Sequence, residues 1–512
     1  MLILMIFSSI LSKHSNQKVH MRQRFDQQLN LGIQPIAEVQ LPLKSRDELP
    51  PILRGLQYIF TTPSLNEKVF RLLEEKICKG KKKTGRKGMD LWHILVLAVI
   101  RHGLNTNWDR LELMANHDAL IRKILGVHST QFQAIEIEFA YQSIIDNVSQ
   151  IDEPLLKEIN QLVVEAGHEL LKKKDQERIV LELKTDSYAL EANVHFPTDL
   201  NLLWDSSRKC LDTVEAIKEE TSLVGWRKVK HIRKTIKSKF RRASHQVFAG
   251  KNEMQKKEAV KEYLQQVATL QERCEHMEKN VSANSLKVMA LLLVLRNYID
   301  YVKKFSNQIE RRLLKGETIA SEEKIYSIFE PHTEWINKGK KNKPVELGHL
   351  LLITTDQYQF IIDTKIMEGE KDASQVKPLQ ERLDKNFSHA QIASHSFDKG
   401  FWSKDNLEAL TVAGATKQVV LPKRGKHSKE DKERESHETF KALRNAHSAV
   451  ESNINMLEHH GLNRCMDKGL HGYKRCVGLS VLTYNLHILG NVLQAQARRQ
   501  IEKESSTLRQ AA

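Results

Sequence analysis

The apolar positions of this chain change period twice, and the changes divide it. From residue 61 to 172 the spacing is helical. "SLNEKVFRLLEEKICKG" is amphipathic, and "MDLWHILVLAVIRHG" is apolar all round, which predicts a buried helix ending near Gly103. Asn107 and Asn116 stand where two short helices would be capped. At Ile179 the period drops to two: "IVLELKTD" predicts a strand stopping at Asp186. Helical spacing resumes from residue 199, and residues 252–314 predict long helices packed as a hairpin. Strand period returns in "LGHLLLITTDQYQFIIDTKIM", two strands about a tight turn at Asp356 and Gln357. Then follow a helix (375–383), the strand "QIASHSFD", a helix at "SKDNLEALTVAG", the strand "KQVVLPK", one long helix over about 438–460, and a last helix opened by "GYKRCVGL". Residues 21–60, with prolines at 35, 42, 50 and 51, read as an extended arm.

At 512 residues the chain exceeds one ordinary core. Apolar residues make up 40% and charged residues 28%, the balance of a globular protein. The net charge of +16 and pI near 9.4 change the picture, because an excess of that size favours an anionic partner, nucleic acid above all. Its densest part is "WRKVKHIRKTIKSKFRR", with nine Lys or Arg in seventeen residues. On a helix, Lys230, Arg233, Lys234, Lys237 and Arg241 share a face at phosphate-like spacing. A basic loop at 79–87 adds to the charge of the helical N-terminal block, whose periodicity is compatible with helix-turn-helix architecture. Five scattered cysteines fit free thiols in a reducing cytoplasm. Cys465, His471 and Cys476, with His459 and His460 upstream, match no standard zinc spacing. The opening "MLILMIFSSILSKHSNQ" is too short to span a bilayer and lacks the features of an export signal, so Met21 is a candidate start. No later segment reads as a membrane span.

With the middle helices set aside, the order is strand, two hairpin strands, helix, strand, helix, strand, helix. This is the order of the ribonuclease-H-like α/β fold, in which acids at neighbouring strand ends and on a later helix can converge. Asp186, Asp398 and Glu451 occupy those places. Phosphodiester cleavage needs a water activated and charge stabilised on the attacking and leaving oxygens, which two divalent ions provide. Hard cations prefer oxygen ligands. Carboxylates clustered without a cation would repel one another.

Three segments around these acids resemble the DDE transposases of bacterial insertion sequences, most closely the ISNCY type, over about residues 90–490. They are "EANVHFPTDLNLLWDSSR" after the first Asp, "FDKGFWS" at the second, and "AHSAVESNINMLEHHGLNRC" with "KGLHGYKRCVGLSVLTYNLHILG" at the helical Glu. The resemblance implies catalytic, metal-holding roles for Asp186, Asp398 and Glu451, with Mg²⁺ or Mn²⁺, two ions, as cofactor. It also implies double-stranded DNA as substrate, at element ends and target, and a homodimer on DNA in a bacterial cytoplasm. The sequence departs from the pattern at Lys399, where relatives often carry Arg, and at Arg444, His447 and Glu458, to which the roles of one branch's Tyr, Arg and Lys do not transfer. Asp186 and Asp398 are 212 positions apart, which implies a large insertion between the first two sheet strands.

The expected division is an arm (1–60), an all-α DNA-binding domain (61–172), a ribonuclease-H-like core (173–199 with 346–490), a basic helical insertion (200–345) and a tail (491–512). Supporting roles at the site fall to Asp199, His195, Lys399 and His447, although Thr198-Asp199 also suits a helix cap. Lys423 and Arg424 are further candidates for DNA phosphates. Trp204 is a candidate for stacking on an unpaired base, against packing of its own helix. Two alternatives stay open: a nuclease of this fold without strand transfer, and a catalytically silent DNA-binding helical scaffold.

Overall fold

The computed structural model describes residues 22–25, 33–80, 88–128, 137–283, 285–337, 344–412 and 418–511. The start-site segment before residue 22 and residues 81–87 of the basic loop lie outside them. The chain forms two compact units, residues 1–191 with 349–512, and residues 192–348.

In the first unit, seven α-helices among the described residues precede the sheet: α1 (Leu49–Thr61), α2 (Pro63–Ile77), α3 (Leu91–Gly103), α4 (Trp108–His117), α5 (Ala119–Leu125), α6 (Tyr141–Val148) and α7 (Glu153–Leu171). The expected arm is therefore partly helical. Pro50 and Pro51 sit in the first turn of α1, where a missing N–H breaks no helical bond, so they open a helix instead of preventing one. Asn107 caps α4, accepting from the Arg110 N–H at 2.8 Å. Asn116 is not a cap: its amide exchanges two hydrogen bonds with the backbone of Phe139, and Asp118 caps α5. Every residue of α3 is buried, so this helix is core and presents no face for reading DNA. These helices belong to the same compact unit as most of the sheet.

The sheet follows, with β1 (Ile179–Ala192), β3 (Val345–Thr355), β4 (Ile361–Met367), β5 (Ala390–Phe397), β6 (Gln418–Val420) and the short β7 (Arg464–Cys465), while β2 (Glu334–Asn337) lies in the second unit. The neighbours run β2-β3-β1-β5-β6, with β4 on β3 and β7 on β1. β1, β5 and β6 are parallel, whereas β3 and β4 are antiparallel. This is a seven-stranded mixed sheet, and the chain is of mixed α/β type. Helices α12 (Val376–Asn386) and α13 (Lys404–Val412) connect its later strands.

Three sequence expectations change here. β1 does not stop at Asp186, because Tyr188, Leu190 and Ala192 continue the buried alternation. The turn between β3 and β4 is not a two-residue one. It spans residues 356–360, with Gln359 at φ 74° and the Asp356 carboxylate accepting from the Tyr358 and Phe360 N–H groups. The single helix over 438–460 is broken into α15 (Glu438–Ala446) and α16 (Ala449–Leu457), after α14 (Lys429–Ser436), and ends in a wide turn where Gly461 adopts φ 91°.

The last helix, α17 (Gly469–Ala511), packs against α1, α3 and α7. Its approach to α1 requires glycine twice. A Cβ on Gly490 would lie 1.8 Å from the Pro51 carbonyl oxygen, and one on Gly55 2.5 Å from that of Leu486. Against expectation, α17 is apolar and long enough to cross a membrane by composition, but 78% of its most apolar window is buried inside the protein.

The second unit contains α8 (Asp199–Glu220), α9 (Val229–Ala249), α10 (Glu253–Asn280) and α11 (Leu286–Ile309) around a core that includes Leu203, Val214, Tyr263, Leu295 and Phe305. β2 pairs antiparallel with the start of β3, Glu334 opposite Gly348.

Candidate active site and basic helix face

The parallel pairing of β1 with β5 sets Lys184 beside Ser396 and Thr185 beside Phe397. One step further along each strand stand Asp186, half-buried, and Asp398, exposed. Because side chains alternate, Lys184 and Asp186 point to one face and Thr185 to the other. Thr185 faces the interior, where its hydroxyl bonds Thr354 and His395, each at 2.7 Å.

His447, between α15 and α16, brings the third segment to this place. Its Nδ1 meets the Ser396 hydroxyl at 3.0 Å, and that hydroxyl also donates to the Leu183 carbonyl at 3.3 Å. Burial pushes the imidazole's pKa below its ordinary value. The charge of Lys184 acts in the same direction, while the carboxylates of Asp398 and Glu451 pull it back up. His447 thus lies within electrostatic reach of one sheet aspartate and of the helical glutamate. Its Nε2 is buried with no hydrogen-bond partner among the described residues. Glu451 is exposed in the first turn of α16. That helix is held by Asn453, which accepts from the Tyr484 hydroxyl of α17 at 3.1 Å.

A fourth acid belongs to this neighbourhood and was not found by pattern. Asp372, in the turn before α12, accepts from the Ser187 hydroxyl at 2.7 Å and abuts Gly400. Lys184 and Ser396 were missed as well. Both share a strand face with an expected aspartate, so the period of two was the available signal.

Asp186, Asp398 and Glu451 offer hard oxygen donors, the class that Mg²⁺ and Mn²⁺ prefer. Among the described residues no three His, Cys, Asp or Glu side chains are drawn together as a finished coordination shell. Magnesium commonly keeps several waters and takes only one or two carboxylates, so the donor set fits such an ion without a closed cage.

Several of the other expected residues have side-chain partners of their own. Asp199 is the first residue of α8, behind the Thr198 cap, and pairs with Arg312 at 3.0 Å. His195 pairs with Asp205 at 3.2 Å; burial raises the pKa of that carboxyl, and His195 and Arg208 oppose the rise. Both residues are occupied inside the second unit. Trp204 stacks on Phe240, with 5.9 Å between centroids and 11° between planes, and serves the core. The Lys423 ammonium pairs with Asp431 and lies 5.4 Å above the Trp402 ring. Lys399 and Arg424 are exposed. Cys465 and Cys476 are buried together with His102 nearby, while His471 is exposed, so Cys465, His471 and Cys476 do not gather.

Helix α9 divides its charge. Arg233 is half-buried between Asp212 and Glu215 of α8 at 2.6 and 2.5 Å, and Lys239 and Arg242 share Glu262 of α10. Lys230, Lys234, Lys237 and Arg241 are exposed, with no acidic partner among the described residues. The stripe open to an anion is therefore these four side chains, without Arg233.

Compared with known protein families, with curated proteins and with solved structures, the chain finds no match.

Proposed function

We propose that this chain is a DDE-type transposase of ribonuclease-H-like fold, which cleaves a DNA strand at its element's ends and joins the freed 3′-hydroxyl to target DNA. The observation that carries this reading is the meeting of three distant segments: Asp186 and Asp398 each follow the last paired residue of two adjacent parallel strands, and His447 ties the segment leading to Glu451 onto the strand beside them. The neighbour order β4-β3-β1-β5-β6 supports the fold assignment, since it puts the first strand at the centre with its parallel partners on one side.

Asp186, Asp398 and Glu451 would hold divalent magnesium or manganese, whose chemistry is to polarise the phosphodiester and acidify bound water. The protein's own contributions follow from its geometry. The strand pairing brings the backbones side by side as far as Thr185 and Phe397, the residues just before the two aspartates. The neutral His447 anchors the loop before Glu451. Lys184, buried two residues before Asp186, supplies positive charge beside the acids. The exposed Lys230, Lys234, Lys237 and Arg241 stripe, with Arg424 and Lys399, would receive duplex phosphates. Pairing of two element ends calls for two copies on DNA.

The test incubates the full-length protein with Mg²⁺, target DNA and either uncut or pre-cut element ends. A transposase yields joined products from pre-cut ends. Cleavage of uncut ends with no joining from pre-cut ones would leave a nuclease. No reaction from either, with Asp398→Ala behaving as wild type, would reduce the chain to a DNA-binding scaffold.

A further inference from the structure

Asp372 lies neither on the sheet nor on the helix of Glu451, yet it touches the two segments that carry the aspartates. One carboxylate oxygen accepts from the hydroxyl of Ser187, the residue after Asp186, at 2.7 Å. The other faces Gly400, two residues after Asp398, so closely that a Cβ there would lie 2.9 Å from it. A second contact fixes the same pair of turns. The buried Asn406 amide donates to the Ala373 carbonyl at 2.7 Å and to the Phe401 carbonyl at 2.9 Å. The turn at Asp372–Gln375 is thus fastened to β1 on one side and to the Lys399–Phe401 turn on the other.

We propose that Asp372 is a positioning residue that sets the separation of Asp186 and Asp398 by clasping Ser187 while packing on Gly400. Strand pairing fixes the two backbones only as far as Thr185 and Phe397. Beyond that level β5 has ended, and Asp398 already begins a turn. The clasp supplies the restraint that the ladder no longer gives. It acts through a hydrogen bond accepted by oxygen, so an amide oxygen at the same place can serve. A Cβ at position 400 would press on this carboxylate oxygen, so Gly400→Ala probes the same contact from the other side.

This inference rests on the proposed acid site, and the experiment separates the two. Amide hydrogen exchange of residues 398–402 is measured on the metal-free full-length protein, and Mn²⁺ affinity by electron paramagnetic resonance. The variants are Ser187→Ala, Asp372→Ala, Asp372→Asn and Gly400→Ala, and melting temperatures verify that each is folded. Ser187→Ala, Asp372→Ala and Gly400→Ala are expected to speed exchange about tenfold and weaken Mn²⁺ binding about tenfold. Asp372→Asn is expected to stay within about threefold of wild type in both. If Ser187→Ala matches wild type while Asp372→Asn fails as badly as Asp372→Ala, Asp372 acts through its charge and the proposal is overturned. Unchanged exchange in all four variants overturns it too. If the wild type binds no Mn²⁺ while exchange responds as expected, the clasp stands and the metal-site reading falls.

Discussion

Protonation of His395 should couple acidity to the stability of the strand pair that bears the two aspartates. This β5 imidazole is fully buried, stacked 4.0 Å from the Phe397 ring and bonded through Nε2 to Thr185 of β1. Its Nδ1 is buried without a partner, so a second proton there would have no acceptor among the described residues. Burial, aided by the neighbouring His447, pushes its pKa down to about 3. An unfolded chain would hold the same group near 6.5. Because the folded value is the lower one, the unfolded state binds more protons as pH falls below about 6.5, and stability declines until the folded pKa is passed. The slope is about 1.4 kcal/mol per pH unit, so the penalty at pH 5 is about 2 kcal/mol from this residue. His395→Phe keeps the ring and its stacking, and leaves the Thr185 and Thr354 hydroxyls bonded to each other. Urea denaturation read by pulse proteolysis at pH 7.5 and pH 5.0 should show a drop in stability about 2 kcal/mol smaller in the variant. Parallel drops in the two proteins, within about 0.5 kcal/mol, would refute the argument that this histidine is buried neutral.

Other outcomes follow from the same geometry. Asp398→Ala and Asp186→Ala should each lower strand cleavage by roughly three orders of magnitude, while gel-shift affinity for end DNA stays within a few-fold of wild type. Replacing Lys230, Lys234, Lys237 and Arg241 together with alanine should reduce the salt slope of DNA binding by about 3 to 4 in a log–log titration. Arg233→Ala should leave that slope unchanged and lower stability instead, because it strips Asp212 and Glu215 of their shared partner. Asp356→Ala removes the buried partner of His168 and the acceptor for two turn N–H groups. The loss should be about 3–5 kcal/mol by chemical denaturation, and a value below about 1 kcal/mol would contradict the burial of that pair.

Strands β1, β3, β4, β5 and β6 were readable because their apolar runs are clear, even with a large insertion between β1 and β3, whereas the short β2 and β7 were not. Asp186 and Asp398 were readable for the same reason, each following a short apolar run. The prolines of α1 misled, because a proline that breaks a helix interior is harmless in the first turn. Charge misled in another way. The segment 226–242 contains no acid, but its neutralising partners Asp212, Glu215 and Glu262 sit on neighbouring helices that no local pattern connects to it. His195 and Asp199 looked like site residues because they closely follow Asp186 in the chain. They lie beyond the end of β1, however, and their partners, Asp205 and Arg312, are within the helical unit. Nearness in sequence to a strand end is a poor guide once the chain has left the sheet.

The same reasoning bears on how segments so far apart in the chain are kept in register. Helix α17 bonds to β1, to β4 and to the helix that carries Glu451. Its Tyr473 hydroxyl donates to Leu190 of β1 at 2.7 Å, Asn485 exchanges two hydrogen bonds with Ile361 at the start of β4, and Tyr484 donates to Asn453 beside Glu451. These groups are buried, so a mismatch in any one leaves a polar atom unsatisfied, at roughly 1–3 kcal/mol. Slippage of β1, β4 or α16 against α17 is penalised independently at each contact. The expected division put an all-α domain ahead of the catalytic core, yet α1, α3 and α7 pack on this same helix. A truncation that removed them to isolate a minimal core would expose the apolar side of α17, and with it the registration of the acid-bearing strands.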